Sequence, residues 1–414
     1  AFREPFVVGS STSWSGQYFW AQPALLALGQ LVDLPWILPA VEVGIIVVFS
    51  ARFAEEVTGK PRVAVVTAAL VAISPLVVLT GATLNNVTLS GACSAATLWA
   101  LARLNRRADR RAFITLGVAT GVALNNRPFD QALLLTGAAL VLIAANGRAI
   151  GPVVRRILPA VAVSLPFVAL LLLTNKAVTG DFRHSGYFLF NEGQGFKTFG
   201  FGRGPFGDPH TPAIAASKTI TNAVRGAFFT SGGPLLLAPL ALTVVLGRAT
   251  RLYAAAISVV DIYVAGYFFY AATPINTTGP IYFLALMPIG AAWLAHAALS
   301  LHESVAGTVI ARRVVPAFLV AHTLASFTVF WPSESRELAR AAERARGCDD
   351  VASRIEGPAL VFVLGSGDAQ RSWTGWPPMP SPQLDERVLF PRSEGAELDR
   401  RVAARFGAGR QVFA

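Results

Sequence analysis

An all-α, multi-pass membrane bundle followed by a small α/β domain outside the membrane is the fold this sequence predicts. Three observations lead there. Of the 414 residues, 53% are hydrophobic and 14% are charged, with mean hydropathy +0.52, whereas soluble domains carry roughly a quarter charged residues. Apolar runs of membrane-crossing length recur between residues 35 and 331. Beyond residue 331 the pattern changes to charged helical periodicity and short apolar runs of strand length.

The net charge of +11 invites a nucleic-acid reading, but its distribution argues against one. The arginines cluster in short connections between apolar runs, where they orient spans in a bilayer, and they do not form one soluble basic face. Cys93 lies inside an apolar run and Cys348 in the polar tail, so neither a disulfide framework nor a cysteine metal site is expected.

In chain order, residues 1–20 end on Trp14, Tyr18, Phe19 and Trp20, aromatic residues suited to the headgroup level. They show no signal-peptide pattern, and Ala1 stands where Met would open a complete chain, so an upstream segment is expected. Residues 21–32 read as a short apolar helix and 35–53 as a span with a basic far end. Residues 63–80 cross back with a kink at Ser74-Pro75, 81–86 make an uncharged turn, and 87–104 return. Residues 112–124 and 131–145 form a tight helical hairpin about Asn125-Asn126-Arg127-Pro128. A basic loop with Arg148, Arg155 and Arg156 leads to a span at 157–174, and a long polar segment occupies 175–225. Spans follow near 233–246, 253–272, 280–299 and 314–331.

Alternate short connections carry Arg52, Lys60 and Arg62; Arg103, Arg106, Arg107, Arg110 and Arg111; Arg148, Arg155 and Arg156; Arg248 and Arg251; and Arg312 and Arg313. The opposite short loops, 81–86 and 273–279, carry no charge. The positive-inside rule makes the basic set cytoplasmic. Residues 1–20, Arg127, the loop 175–225 and the tail then share the outer face of the cell (inner) membrane. Three segments follow: an outer-loop end at 1–20, a transmembrane domain at 21–331, and an extracytoplasmic α/β domain at 332–414. In that last domain 334–346 is a charged helix and 359–364 a buried strand. Residues 373–382 are a Pro-rich loop, and 387–390 and 411–413 are strands around a helix at 394–406.

Arg127 is the residue that most needs a reason. Pro128 removes Arg127 from helical geometry, and the guanidinium stays charged at the edge of a membrane segment. Either it meets an anionic headgroup or phosphate, or it pairs with Asp130 or caps the preceding helix. The loop 175–225 offers Arg183, His210 and Lys218 around the glycine-rich run Phe199-Gly200-Phe201-Gly202. That run lacks the Gly-Lys-Ser/Thr ending of a phosphate loop. His210 either touches a phosphate or metal, or is structural beside Pro209 and Pro212. No second His or Cys stands at ligand spacing, so no metal is read, though a divalent ion is compatible with the chemistry. Asp261, inside an apolar run, is either a coupling residue or a paired interior charge.

The chain resembles the membrane-embedded, polyprenyl-phosphate-sugar-dependent glycosyltransferases of the GT-C class, and is similar to the protein O-mannosyltransferases of glycosyltransferase family 39. The resemblance rests on the run 16–29, opening Gly16-Gln17-Tyr18-Phe19-Trp20, and on Gly121-Val122-Ala123-Leu124-Asn125-Asn126-Arg127-Pro128. It continues through the stretch from Gly200 to His210-Thr211-Pro212 and Gly279-Pro280-Ile281-Tyr282. It implies that Arg127 contacts the lipid-linked phosphate and that the catalytic carboxylate lies in a first outer loop preceding Ala1. The sequence departs from the family pattern at a lysine absent from 16–23, at Asn85 and Asn86 where a carboxylate is usual, and at Ile281 where an arginine is usual.

The expected function is inverting transfer of a sugar from a polyprenyl-phosphate donor to a glycan, lipid or protein acceptor on the outer face. A carboxylate takes the acceptor proton and cations stabilise the departing phosphate. Arg127, His210 and Lys218 are the phosphate-binding candidates, with Asn126, Asp130, Arg183 and Tyr282 in support and Asp130 as the partner of Arg127. Membrane lipids are expected partners, and nucleic acid is not. The rival readings are a transporter or flippase of lipid-linked or anionic cargo, with Asp261 in the pathway, and a non-catalytic scaffold that keeps the fold.

Overall fold

The computed structural model describes residues 7–9, 14–193, 195, 197–204, 209–233, 241, 251–271, 279–304, 307–308, 313, 315–363, 384–393 and 395–413. The chain divides into two compact units: Tyr18–Ser333, and Ala1–Gln17 together with Glu334–Ala414.

In the first unit, α1 (Ala21–Gln30) and α2 (Ile37–Thr58) precede α3 (Pro61–Ile73) and α4 (Pro75–Gly81). The last two form one span bent by 50°, because Pro75 forbids helical geometry at Ser74. α5 (Asn86–Arg106), α6 (Arg110–Leu124), α7 (Pro128–Asn146) and α8 (Ile150–Thr179) follow, then α9 (Gly186–Gly193) and the short antiparallel pair β1 (Gly202–Arg203) and β2 (Pro209–His210). α10 (Pro212–Ser231), α11 (Arg251–Phe268), a 3-10 turn Ile281–Leu286, α12 (Met287–Ser304) and α13 (Val315–Ala325) complete the helices described in it.

Among the described residues, Ile37–Thr58, Asn86–Arg106, Pro128–Thr179 and Ile281–Ser304 are long and apolar enough to cross a membrane, and the bent pair makes a fifth. Pro128–Thr179 holds α7 and α8 joined by the 3-10 turn Gly147–Ala149. The expected span at 233–246 and the loops at 273–279 and 373–382 lie almost wholly outside the described residues.

α5 is the axis of the bundle, buried without a break from Val87 to Leu101. Its sequence explains this. Small residues Ser90, Gly91, Ala92, Ser94, Ala95 and Ala96 let α2, α6, α7 and α8 approach from several sides. Asn85 caps its start by accepting the Val87 N–H at 3.0 Å. Its far end is closed by Arg156, whose Nη1 donates to the carbonyls of Leu104 (3.3 Å) and Asn105 (2.9 Å). Arg155 and Arg156 therefore lie within α8, as its sixth and seventh residues, where the sequence suggested a loop.

The expected tight hairpin at 112–145 opens into two diverging helices. α6 packs chiefly on α8 and α5, while α7 packs chiefly on α11. The reason is glycine. A Cβ at Gly117 would lie 2.5 Å from the Ala160 carbonyl, and one at Gly121 2.5 Å from the Phe167 ring, so α6 sinks onto α8 through a small-xxx-small stripe. α8 itself runs unbroken through Pro159 and Pro166.

The second unit holds an antiparallel hairpin, β3 (Val7–Gly9) with β4 (Trp14–Gly16), and a three-stranded parallel sheet. In the sheet, β5 (Ala359–Val361) is central between β6 (Val388–Leu389) and β7 (Gln411–Phe413). Helix Ala396–Phe406 packs Val402 on Leu360, Phe362 and Leu389. Cys348 and Ala352 pack on Ala359, Val388 and Phe390. The α/β reading of the tail holds.

Gly121→Leu forces α6 off α8 and displaces the Asn125 contact below. Its thermal midpoint in detergent is expected to fall by several degrees, with a loss of about 1–3 kcal/mol as for other overpacking substitutions. An unchanged midpoint contradicts the packing described.

Candidate functional site

The site is built where α6 stops and α7 starts. Asn125 turns back onto its own helix, its Nδ2 donating to the carbonyls of Gly121 and Phe167, both at 2.9 Å. Asn126 donates to the Asn86 carbonyl at 2.8 Å, and the Asn125 carbonyl accepts the Ala21 N–H at 3.0 Å. This short loop thus ties α1, α5, α6 and α8 together. Arg127 follows with φ −144 and ψ 77, outside the helical region, which Pro128 at the first helical position disfavours for it.

Asp130 then falls in the first turn of α7, a position the helix dipole favours for an anion. Arg127 Nε lies 2.6 Å from Asp130 Oδ2 and Nη2 lies 3.3 Å from Oδ1. Nη2 also donates to the Tyr267 hydroxyl at 3.0 Å, and that hydroxyl donates to Asp130 Oδ1. Ser90 of α5 donates to Oδ2 at 2.9 Å. The guanidinium sits 4.2 Å over the Tyr282 ring, a cation–π contact. Asp130 is 2% exposed and Arg127 13%. The hydrogen bonds to Asp130 and Tyr267 run through Nε and Nη2.

An aromatic shell surrounds this pair. Phe129 packs on Phe199, Tyr267 and Tyr270, with ring centroids 4.7, 5.4 and 5.5 Å apart. Tyr267 stacks on Tyr282 at 5.4 Å, and the hydroxyls of Tyr187 and Tyr270 share a short hydrogen bond.

The C-terminal end of α11 carries the site to the outer loop. His210 Nε2 lies 3.2 Å from the Phe268 carbonyl, one residue beyond Tyr267. Lys218 Nζ lies 3.5 Å from the Ala271 carbonyl. Gly200 donates to the Phe269 carbonyl at 2.8 Å, with φ +84, a conformation open to glycine. Burial first, and then the Lys218 charge, holds the His210 pKa below the usual histidine range. Because a carbonyl only accepts, the neutral ring carries its proton on Nε2. Nδ1 is buried without a partner and has no proton to offer a phosphate. In this geometry His210 pins the β1–β2 pair to α11.

Of the residues singled out in the sequence, Arg127, Asn126, Asp130 and Tyr282 converge, and His210 and Lys218 join them through residues 267–271. Arg183 does not converge. It is exposed ahead of α9, its amide N–H on Asp181 at 2.9 Å. Asp261 is exposed on α11. Among the described residues, no group of three or more His, Cys, Asp and Glu is placed to hold a metal ion.

The sequence reading missed Tyr267 and Ser90, which no local motif marks. It also missed Glu42, 4% exposed on α2 with Gln22 facing it. A signal was there, since Glu42 is an acid inside an apolar run.

Residues 17–173 match the family described as dolichyl-phosphate-mannose-protein mannosyltransferase. No curated protein matches the chain in sequence. The fold is similar to that of ArnT from Cupriavidus metallidurans in two crystal structures. The one bound to undecaprenyl phosphate gives a TM-score of 0.56 at 12% identity, and the apo form 0.57 at 13%. Each alignment covers 96% of this chain and 79% of that one. The resemblance read from the sequence therefore holds for the matched region and for the fold.

Two outcomes follow from the geometry. Asp130→Asn leaves a buried guanidinium without its counterion and is expected to lower stability by about 3–5 kcal/mol, read as loss of folded protein on a heating series against wild type. His210 has a folded pKa below its unfolded value of about 6.5, so its unfolded form binds more protons as pH falls and stability is lost on acidification. Protection in 197–211, taken from hydrogen exchange corrected for the intrinsic pH dependence of the amide rate, should fall between pH 7.5 and 5.5, and His210→Gln should flatten that fall. Exchange that is equally acid-sensitive in both proteins contradicts the assignment.

Proposed function

We propose that this chain transfers a sugar from a polyprenyl-phosphate donor to an acceptor hydroxyl, with inversion, at the end of the bundle that carries Arg127. The observation that carries the reading is the Arg127–Asp130–Tyr267 cluster. It is a guanidinium inside a membrane bundle, oriented through Nε and Nη2 by Asp130 and Tyr267 and lying over the Tyr282 ring. The family match over 17–173 and the fold support the donor class.

In the reaction the acceptor oxygen attacks the anomeric carbon as its proton passes to a carboxylate base, while the bond from that carbon to the phosphate oxygen breaks. The phosphate leaves with the electron pair and gains negative charge. Arg127 Nη1 meets that charge in a dry setting, where an oriented donor is worth far more than in water. Asp130 and Tyr267 hold the guanidinium in place, and Lys218, two turns into α10, supplies a second cation. Asp130 accepts from Arg127, Tyr267 and Ser90, so it serves as the orienting partner and not as the base that takes the acceptor's proton. We place the reacting centre on the membrane face opposite the arginine-rich connections, with the tail domain on the same face.

The test uses the full-length protein in membranes and follows label transferred from polyprenyl-phosphate sugars. Arg127→Ala is expected to reduce transfer by about 100-fold or more, with Arg127→Lys intermediate because it keeps charge and loses the fork. Equal transfer by wild type and Arg127→Ala, with both proteins folded, removes Arg127 from the reaction. Absence of transfer from every donor, together with flux of anionic cargo sensitive to Asp261→Asn, replaces the transferase with the transporter.

A further inference from the structure

We propose that the bundle binds one anionic phospholipid at its arginine-rich end, with part of an acyl chain in a cavity between α2, α5, α7, α11 and α12 and the phosphate at Arg106. The cavity measures about 150 Å³, and of its lining residues only Asn105 has a polar side chain apart from the Trp293 ring nitrogen. Phe53, Leu101, Ala102, Val141, Ala256 and Trp293 are typical of its wall. A dry apolar cavity of ~150 Å³ is large enough to take up benzene, so it suits a stretch of one hydrocarbon chain.

Its position separates it from the Arg127 cluster. The first lining residue on α7 is Ala138, ten residues past Pro128 and so ~15 Å along the helix axis. The lining residues on α2 and α5 fall at the ends of those helices that lead into the basic connections, as do those at the start of α11.

Charge at the rim selects the occupant. Asn105 is fixed by Asn146, which donates to its side-chain oxygen at 2.9 Å. Arg103 is committed to Glu56 at 3.0 Å and Asp109 at 2.9 Å. Arg106 lies one turn past Ala102 on the same stripe. It is 52% exposed, with one ion-pair contact of 4.0 Å to Glu56. An exposed, loosely held guanidinium above an apolar slot is built to fork a phosphate, and basic residues at a membrane surface favour anionic over zwitterionic lipid.

The experiment is native mass spectrometry of the full chain released from detergent after exchange with equimolar phosphatidylglycerol, phosphatidylcholine and undecaprenyl phosphate. Wild type is expected to retain one phosphatidylglycerol at least fivefold over phosphatidylcholine. Ala256→Phe, which fills the cavity, should reduce that retention at least fivefold, and Arg106→Gln should abolish the preference for phosphatidylglycerol while its thermal midpoint stays near wild type. If Ala256→Phe fails to fold, Arg106→Gln decides alone. Equal retention of the two phospholipids by wild type overturns the proposal. So does retention of phosphatidylglycerol unchanged in Arg106→Gln, or undecaprenyl phosphate retained in preference and lost in Ala256→Phe, which assigns the cavity to a polyprenyl tail. Sugar transfer is not the readout, so this result and the transferase reading stand or fall separately.

Discussion

A guanidinium buried at the end of a membrane bundle has to be neutralised, and the pairing of Arg127 with Asp130 sets the rest of the architecture around it. An unpaired charge there is costly by several kcal/mol. Pro128 solves the geometry locally: it takes Arg127 out of helical geometry, begins α7 and leaves Asp130 one turn away on the side facing Arg127. The remaining lone pairs of the carboxylate then need donors, and Ser90 from α5 and Tyr267 from α11 provide them. Three helices distant in sequence are held in register by one ion pair.

The same arrangement limits what the site can bind. Asp130 cancels much of the Arg127 charge, and His210 is neutral near pH 7 because burial and Lys218 both disfavour its protonated form. Lys218 lies on the outer-loop side, its Nζ 3.5 Å from the Ala271 carbonyl. In the proposed reaction the donor phosphate meets one fixed fork, Arg127, and one flexible ammonium, Lys218. That combination orients through Arg127 and adjusts through Lys218, which suits an anion whose charge grows during reaction better than a static counterion.

The sequence made the bundle legible because hydropathy and arginine placement are summed over many residues, and errors of a residue or two do not alter the sum. The kink at Ser74-Pro75 and the α/β tail were readable for local reasons, proline geometry and a change of period. Arg127 with Asp130 was also readable, since a three-residue spacing after a proline is a local fact. Tyr267 and Ser90 were not, because their role depends on α5 and α11 meeting α7, a tertiary event with no local signature. The opening of α6 away from α7 was missed for a related reason. Gly117 and Gly121 look like any helix glycines until Ala160, Val163 and Phe167 of α8 are seen against them. Arg183 stands apart from the cluster, and a charge in a long polar loop carries no information about which way the loop folds.

The two ends of the bundle use arginine differently, and the difference explains where chemistry is assigned. At the loop end Arg106 is half exposed and Lys60 pairs with Glu303 at 44% and 55% exposure. Contacts of this kind are screened by salt and contribute little each. They suit exchangeable lipid headgroups. At the Arg127 end the cation is held by three protein groups inside aromatic walls, where the local dielectric is low and each hydrogen bond is stronger. A transition state that gathers charge on phosphate over a fraction of a bond length needs donors that are already in place and do not reorganise. Of the cations described here, Arg127 best satisfies that condition.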